Sequence, residues 1–574
     1  MPKLTIDGKE LEAPASSTII QAAFQNGMSI PHFCWHPRLS VAGNCRMCLV
    51  EVEKLPKLVI ACATQVADGM VVKTISDRVV NAQQAVMEFL LINHPLDCPI
   101  CDEAGECKLQ DYAYYFSTGV SRFEFNKVRK PKRVELGPNV TLDVERCIMC
   151  SRCIRFCSEI AKNPQLVFAQ RADHVELTTF PGEKLDNPYS MNTIDICPVG
   201  ALTSKDFRFK ARVWEMSATD TICQGCSRGC NMNMWVRNNQ ILRLTPRHNA
   251  EVNDYWMCDY GRLQTFGFVN AGDRIAEPMI RKDGKLVPVG WDEAISRTAL
   301  ELKSFDGHEI GGIGSPYSTN EDNYAFVKLM DHAGAAKPLL LKHLVPGDED
   351  EILLRADKTP NSRGANEVGV VSGSGDLEPV LRGINKGVIK ALYVIDEDIA
   401  ADPKVAETLS KLNFLVVHAS NANETTKIAD VVLASSTYAE KHGTIVNFQG
   451  HVQRLKPAVA TAELDRALDG FAMSRLDKFG APNDRWTKSP KRDARPSWRI
   501  LSSVAGALGA KWKFHSAEDV FSEIAAAEAA FKGISYQRIG SRGVKLTQKD
   551  GVPAGAEGGT SGMTPNPARG TGQH

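Results

Sequence analysis

The stretch that most constrains this 574-residue chain is His94-Pro-Leu-Asp-Cys98-Pro-Ile-Cys101-Asp-Glu-Ala-Gly-Glu-Cys107, which packs four candidate ligands for iron or zinc into one short loop. Further cysteine groups stand on both sides of it, and all 16 cysteines fall at or before Cys258. Thiols this closely spaced in a reducing compartment are set for metal rather than for packing. A chain of this length exceeds what one core serves, so roughly three to five domains are expected. Lys plus Arg equals Asp plus Glu at 68 each, which removes any global electrostatic case for nucleic acid or an anionic membrane surface. The longest mainly apolar runs, such as Ala85 to Ile92 and Val388 to Ile395, fall far short of the roughly 18 to 20 residues that cross a bilayer. The opening MPKLTIDGKELEAP lacks a secretory apolar core and the Arg/Ser-rich character of a transit peptide. The expectation is a cytosolic protein with reduced thiols.

Residues Lys3 to Ala13 read as a hairpin turning at Asp7-Gly8, and Ser17 as the cap of a helix through Ile19, Ile20, Ala23 and Phe24 that Gly27 ends. A small ubiquitin-like or ferredoxin-like sheet follows from that order. Into it fall Cys34, Cys45, Cys48 and Cys62, with Gly43 where the loop must bend tightly. With altered spacing, this resembles the plant-type set that holds a [2Fe-2S] cluster by four thiolates. A helix opening at Asp77, with Val79, Ala82, Val86, Phe89 and Leu90 on one buried face, delivers His94 at its end. A lone histidine there would only face the helix C-terminus. This one begins an H-x3-C-x2-C-x5-C set that is one thiolate short of a cubane's four ligands, so His94 is taken as a ligand. A neutral imidazole makes a site less negative and raises its potential.

A strand over Asn139 to Val144 leads into Cys147-Ile-Met-Cys150-Ser-Arg-Cys153-Ile-Arg-Phe-Cys157, close to the bacterial ferredoxin run C-x2-C-x2-C-x3-C-P. Ser158 stands where that run has proline, and a distant Cys197-Pro198 supplies the missing C-P pair. The ligands of one cubane are therefore read as Cys147, Cys150, Cys153 and Cys197, with Cys157 a buried free thiol. A fourth set, Cys223, Cys226, Cys230 and Cys258, has a three-ligand loop and a remote fourth ligand, an arrangement of cubane type. Taken alone it could be a zinc ribbon.

After Cys258 the pattern changes to α/β. A glycine-rich turn over Gly311 to Ser315 precedes a helix through Tyr324, Phe326 and Leu329, and Val388 to Ile395 and Phe414 to Val417 read as buried parallel strands. Ser372-Gly373-Ser374-Gly375 reads as a turn rather than a phosphate loop. Trp498, Leu501, Ala505 and Leu508 share one helix face, and Ser516-x-x-Asp519 caps a last helix. From Lys549 on, Gly, Pro, Ser, Thr and Ala dominate, and disorder is expected.

In this order and at these spacings, the segments CRMCLVEVE, HPLDCPICDEAGECKLQD, RCIMCSRCIRF, CPVGAL and WMCDYGR resemble the G subunits of bacterial NADH-quinone oxidoreductase (respiratory complex I), a family whose mitochondrial counterpart is the 75 kDa iron-sulfur subunit. Ile428 to Arg454 looks like the closing part of that family's molybdopterin-oxidoreductase-like domain. The resemblance implies α+β N-terminal iron-sulfur domains followed by a non-catalytic α/β domain. Their bounds would be 1–78 for a ubiquitin/ferredoxin-like [2Fe-2S] domain and 79–120 for a helical domain with a one-histidine, three-cysteine [4Fe-4S] cluster. A ferredoxin-like [4Fe-4S] domain would span 138–212, a molybdopterin-oxidoreductase-type [4Fe-4S] domain 216–272, the α/β domain 273–545 and a tail 549–574. Carried over residue by residue, Cys34, Cys45, Cys48 and Cys62 would hold the [2Fe-2S] cluster, and His94, Cys98, Cys101 and Cys107 a [4Fe-4S] cluster. Cys147, Cys150, Cys153 and Cys197 would hold a second cubane, and Cys223, Cys226, Cys230 and Cys258 the additional one found in some bacterial members.

The function so implied is that of a wire. It would relay single electrons from an NADH/FMN-binding subunit toward the quinone-binding part of a proton-pumping complex, peripheral on the cytoplasmic side of the bacterial inner membrane. Iron-sulfur clusters span about −700 to +450 mV, so no catalytic residue is needed, and neither nucleic acid nor a membrane span is expected. The main rival is the large subunit of an NAD-linked molybdenum formate dehydrogenase, but no cysteine past Cys258 could bind the metal, and Tyr260 stands where such enzymes place the C-x-K-G lysine. An [FeFe]-hydrogenase would need further cysteines. A zinc-stapled scaffold would require all the sets to mislead together.

Overall fold

The computed structural model describes residues 1–373, 375–464 and 491–547. The expected disordered tail and Ser374 lie outside the described residues. The chain divides into a first unit of 1–225, 230–274 and 456–492, and a second of 226–229, 275–455 and 493–574.

The first unit begins with strands β1 (Lys3–Ile6) and β2 (Lys9–Glu12), helix α1 (Ile19–Gln25), and strands β3 (Leu49–Val52), β4 (Val59–Ile60) and β5 (Met70–Lys73). They form a mixed sheet in the order β2-β1-β5-β3-β4, with β1 and β5 parallel, as in ubiquitin-like folds. The hairpin turns at Asp7 and Gly8, both at positive φ. The helix cap is Thr18 rather than Ser17: its hydroxyl accepts from the Gln21 amide while Gln21 accepts from the Thr18 amide, a reciprocal box that Ser17 cannot make one residue earlier.

Helix α2 (Asp77–Asn93) ends at His94, whose extended backbone precedes Pro95. Its buried face is Val79, Gln83 and Met87, each four residues from the last, and Phe89, expected on that face, is 75% exposed. Helix α3 (Lys108–Phe116) starts directly after Cys107. Strands β6 (Val134–Glu135) and β7 (Val140–Leu142), helix α4 (Arg152–Arg155), strands β8 (Leu166–Ala169) and β9 (Glu176–Thr179), helix α5 (Asn192–Asp195) and strand β10 (Leu202–Ser204) follow. Antiparallel pairing of β7 with β10, continued by the Asp143 amide on the Ala201 carbonyl at 2.7 Å, carries the run that starts at Cys147 beside the turn that follows Cys197. Three further strands, β11 (Ser217–Ile222), β12 (Asn231–Arg237) and β13 (Gln240–Pro246), form a meander, and helix α6 (Asp259–Leu263) begins at Cys258.

In the second unit, strands β14 (Met279–Lys282), β15 (Lys285–Pro288), β16 (Ile310–Gly314), β17 (Leu339–Leu340), β18 (Ala391–Ile395), β19 (Phe414–Ala419) and β20 (Val431–Ala434) form one sheet in the order β15-β14-β20-β19-β18-β16-β17. The run from β20 to β17 is parallel. The core strands are buried throughout, as parallel strands covered by helices must be. Of Gly311 to Ser315, expected as a turn, all but Ser315 lies within β16. A Cβ at Gly312 would come within 2.9 Å of the Met330 Cε, so glycine here lets helix Asn320–His332 approach the sheet. Helices Ser497–Ala507 and Ala517–Ala527 pack in the same core, the latter capped by Ser516 and Asp519 as expected. No described helix is long and apolar enough to cross a membrane.

Candidate metal centres

The first set gathers in the ubiquitin-like sheet. Cys34, Cys48 and Cys62 are buried, and Gly43 bends the loop at φ +63 with its Cα face against Ile60. The Cys34 amide donates to Cys45 Sγ at 3.4 Å. Paired thiols share protons: the Cys45 hydrogen bond draws Cys34 down to about 5, and the Cys34 and Cys62 thiols with burial push Cys45 and Cys48 up.

In the second set Cys98 is exposed, whereas Cys101 and Cys107 are buried. Burial, then the charges of Arg146 and Lys127, lower His94 to about 4, so its imidazole is neutral near neutral pH, the form a metal takes. His94 Nδ1 is buried with no hydrogen-bond partner in the protein, an orphan that a metal would satisfy. Arg146 organises this loop: it donates to Asp97 Oδ2 at 3.0 Å and pairs with Asp143 at 3.2 Å.

Cys147, Cys150, Cys153 and Cys197 line one small cavity. Burial and mutual repulsion push Cys153 and Cys197 well up, so together they call for a positive charge among them. Cys157 does not line that cavity and is fully buried, and burial alone pushes its thiol up to about 12.

In the fourth set the hairpin between β11 and β12 brings Cys223 and Cys230 together, the Cys223 amide donating to the Cys230 carbonyl at 2.8 Å. A Cβ on Gly261 would lie 2.8 Å from Cys223 Sγ and 3.3 Å from Cys258 Sγ, so these thiols converge on a residue that offers no side chain. Cys226, buried, belongs to the second unit. Among the described residues no three His, Cys, Asp or Glu groups stand as a single-ion site. A cluster would differ in spreading its four protein ligands over several irons, two on each iron of a [2Fe-2S] cluster and one on each iron of a [4Fe-4S] cluster.

Sequence reasoning missed the residues that tie the sites together. Arg155 Nη2 donates to the carbonyls of Cys34 at 2.5 Å and Cys150 at 3.3 Å, and Asn44, beside Cys45, donates to the Met149 carbonyl at 3.0 Å. Arg152 donates to the carbonyls of Trp35 at 2.5 Å and Ile196 at 3.1 Å. On the other side of the third set, Gly200 abuts Cys101 Sγ, and Cys107 Sγ lies 3.9 Å from the Pro198 carbonyl oxygen. The available signal was the pair of arginines interleaved in Cys150-Ser-Arg-Cys153-Ile-Arg.

The fold and these sites define an iron-sulfur protein in which ferredoxin-type modules precede a molybdopterin-oxidoreductase-type body. A 2Fe-2S iron-sulfur cluster binding domain matches residues 2–77, the NADH-ubiquinone oxidoreductase-G iron-sulfur binding region 83–122, and the ferredoxin-like domain of NADH-quinone oxidoreductase subunit 3 137–203. A molybdopterin oxidoreductase Fe4S4 domain matches 216–265, and a molybdopterin oxidoreductase domain 274–345 and 356–466. The chain is a relative of the G subunits of NADH-quinone oxidoreductase: that of Rickettsia conorii is 45% identical over 335 residues, 58% of this chain and 50% of the relative. The mitochondrial NADH-ubiquinone oxidoreductase 78 kDa subunit of Neurospora crassa is 42% identical over 338 residues, 58% of this chain and 45% of the relative. The 75 kDa subunit of Reclinomonas americana is 39% identical over 365 residues, 62% of this chain and 52% of the relative. The chain thus spans about half the length of the curated relatives it matches.

Proposed function

We propose that this chain is the iron-sulfur electron-transfer subunit of an NADH:quinone oxidoreductase, passing electrons one at a time from an NADH/FMN subunit toward the iron-sulfur subunits that lead to quinone. Its ligands would be those read from the sequence: Cys34, Cys45, Cys48 and Cys62 for a [2Fe-2S] cluster, and His94, Cys98, Cys101 and Cys107 for a [4Fe-4S] cluster. Cys147, Cys150, Cys153 and Cys197, and Cys223, Cys226, Cys230 and Cys258, would hold the further [4Fe-4S] clusters. When bound, these groups supply reversible one-electron chemistry. The chain's own residues hold them, exclude water by burial and set their surroundings. The module bounds proposed above, from 1–78 through 273–545, go with this reading, as does a peripheral place on the cytoplasmic side of the membrane.

The observation that carries the proposal is the continuity of the sites. The third set touches the first through Arg155 and Arg152 and the second through Gly200 and Pro198, so it stands between them, as a relay requires. The test is Cys150→Ala in the assembled complex. NADH-to-quinone electron flow should be abolished while NADH-to-ferricyanide activity at the flavin largely survives, and equal loss of both would count against this role.

A further inference from the structure

Arg152 is 4% exposed, yet among the described residues no carboxylate pairs with it. A buried charge without a counter-charge costs several kcal/mol, so buried cations are found paired or solvated by strong acceptors. The guanidinium uses Nη1 on the Ile196 carbonyl and Nη2 on the Trp35 carbonyl, and two neutral carbonyls solvate it only in part. Of the N–H groups left, that on Nε is buried and has no acceptor in the protein. Arg152 also lines the cavity that Cys147, Cys150, Cys153 and Cys197 share. The two carbonyls adjoin candidate ligands of two sets, since Ile196 directly precedes Cys197 and Trp35 directly follows Cys34.

We infer that Arg152 is the positioning residue of the third-set cluster. Its Nε–H donates a hydrogen bond to a sulfur of that cluster, and its charge offsets the cluster's negative charge, which raises that cluster's midpoint potential above the value its four thiolates alone would set. Hydrogen bonds to cluster sulfurs and net charge are, with solvent exposure, the levers a protein has on such a potential once the ligands are fixed. The two carbonyls fix the geometry. Nη1 is held by the carbonyl next to Cys197 and Nη2 by the carbonyl next to Cys34, which fixes the plane of the guanidinium at the edge of the cavity it lines. Arg155, one turn along α4, spends its donors on the Cys34, Cys150 and Ser40 carbonyls and on Ser151 Oγ, and so holds the two loops together. The paired arginines therefore have different tasks, the first tuning and the second clamping.

The inference rests on the proposal that these four cysteines hold a [4Fe-4S] cluster, and the experiment separates the two. The full chain is purified anaerobically with arginine ¹⁵N-labelled in its guanidinium only, and acid-labile sulfide, cluster-resolved redox titration by electron paramagnetic resonance and hyperfine sublevel correlation spectra are recorded. The expected result is a ¹⁵N coupling on the reduced third-set cluster, lost in Arg152→Lys, together with a downward shift of that cluster's midpoint potential in Arg152→Lys and a larger one in Arg152→Gln, sulfide content unchanged. Should the Arg152 variants fail to assemble the cluster, Arg155→Lys decides, because the coupling persists there if Arg152 is its source. An assembled cluster with no arginine coupling, or with an unchanged midpoint in Arg152→Gln, overturns the role of Arg152 alone. Absence of acid-labile sulfide from the unsubstituted chain overturns both.

Discussion

Gly200 meets Cys101 so closely that a Cβ on the glycine would overlap the Sγ of the cysteine, and the same Cβ would stand 3.0 Å from the Cβ of Glu103. A residue three places after one candidate ligand, Cys197, thus forms part of the wall of the neighbouring site. Gly200→Ala should displace Cys101, at a cost of about 1–3 kcal/mol from overpacking, and weaken or abolish the resonance signal of the histidine-bearing cluster. An unaltered signal with unaltered iron content would show that the two sites are not in contact there.

His94 separates ligand type from mere proximity. His94→Ala should remove the second-set cluster's signal, whereas His94→Cys should retain a cluster at lower potential, because a thiolate replaces a neutral imidazole and adds negative charge. Potentiometric titration of both variants checks this, and a full second-set signal in His94→Ala would place the fourth ligand elsewhere.

Cys157 offers the opposite control. Lying outside the four-cysteine cavity, it should tolerate Cys157→Ala with iron and sulfide per chain unchanged and stability lowered by about 1 kcal/mol. Cys197→Ala should lose one cluster. Equal iron loss in the two variants would overturn the assignment of ligands in this run.

Glu321 makes the second unit sensitive to pH. Burial pushes its carboxyl up to about 7, although the Thr444 amide and the Tyr536 hydroxyl donate to it, both at 2.8 Å. A folded-state value above the ordinary 4.5 means that the protonated form is favoured by folding. That contribution is full below about pH 4.5 and is lost as pH rises toward 7, amounting to roughly 3 kcal/mol. Melting temperatures of the full chain between pH 5 and 8 should fall more steeply with pH than those of Glu321→Gln, and parallel curves would contradict the burial argument.

Much of the architecture was legible because local rules and tertiary needs agreed. Asp7-Gly8 turns a hairpin in any context, and the apolar runs at Val388 to Ile395 and Phe414 to Val417 have no use but a covered parallel sheet, where β18 and β19 now lie. The misreadings arose where packing decided. Phe89 has the right spacing but faces away from the buried face of α2, and the glycine-rich run from Gly311 suggests a turn until helix Asn320–His332 is seen to approach Gly312 and Gly314, where a side chain would stand in the way. For the candidate sites, spacing names ligand sets but not distances between sets. The links through Arg152, Arg155, Asn44 and Gly200 join residues far apart in the chain, and pairing of β7 with β10 accounts only for that between Arg152 and Ile196. No motif encodes such neighbours.

The most direct test of the central claim is acid-labile sulfide and cluster-resolved electron paramagnetic resonance on the anaerobically purified full chain, expressed with ample iron and sulfide. The account predicts a brown protein with the distinct signals of one [2Fe-2S] cluster and of several [4Fe-4S] clusters on reduction. A colourless protein holding zinc and no labile sulfide would contradict it.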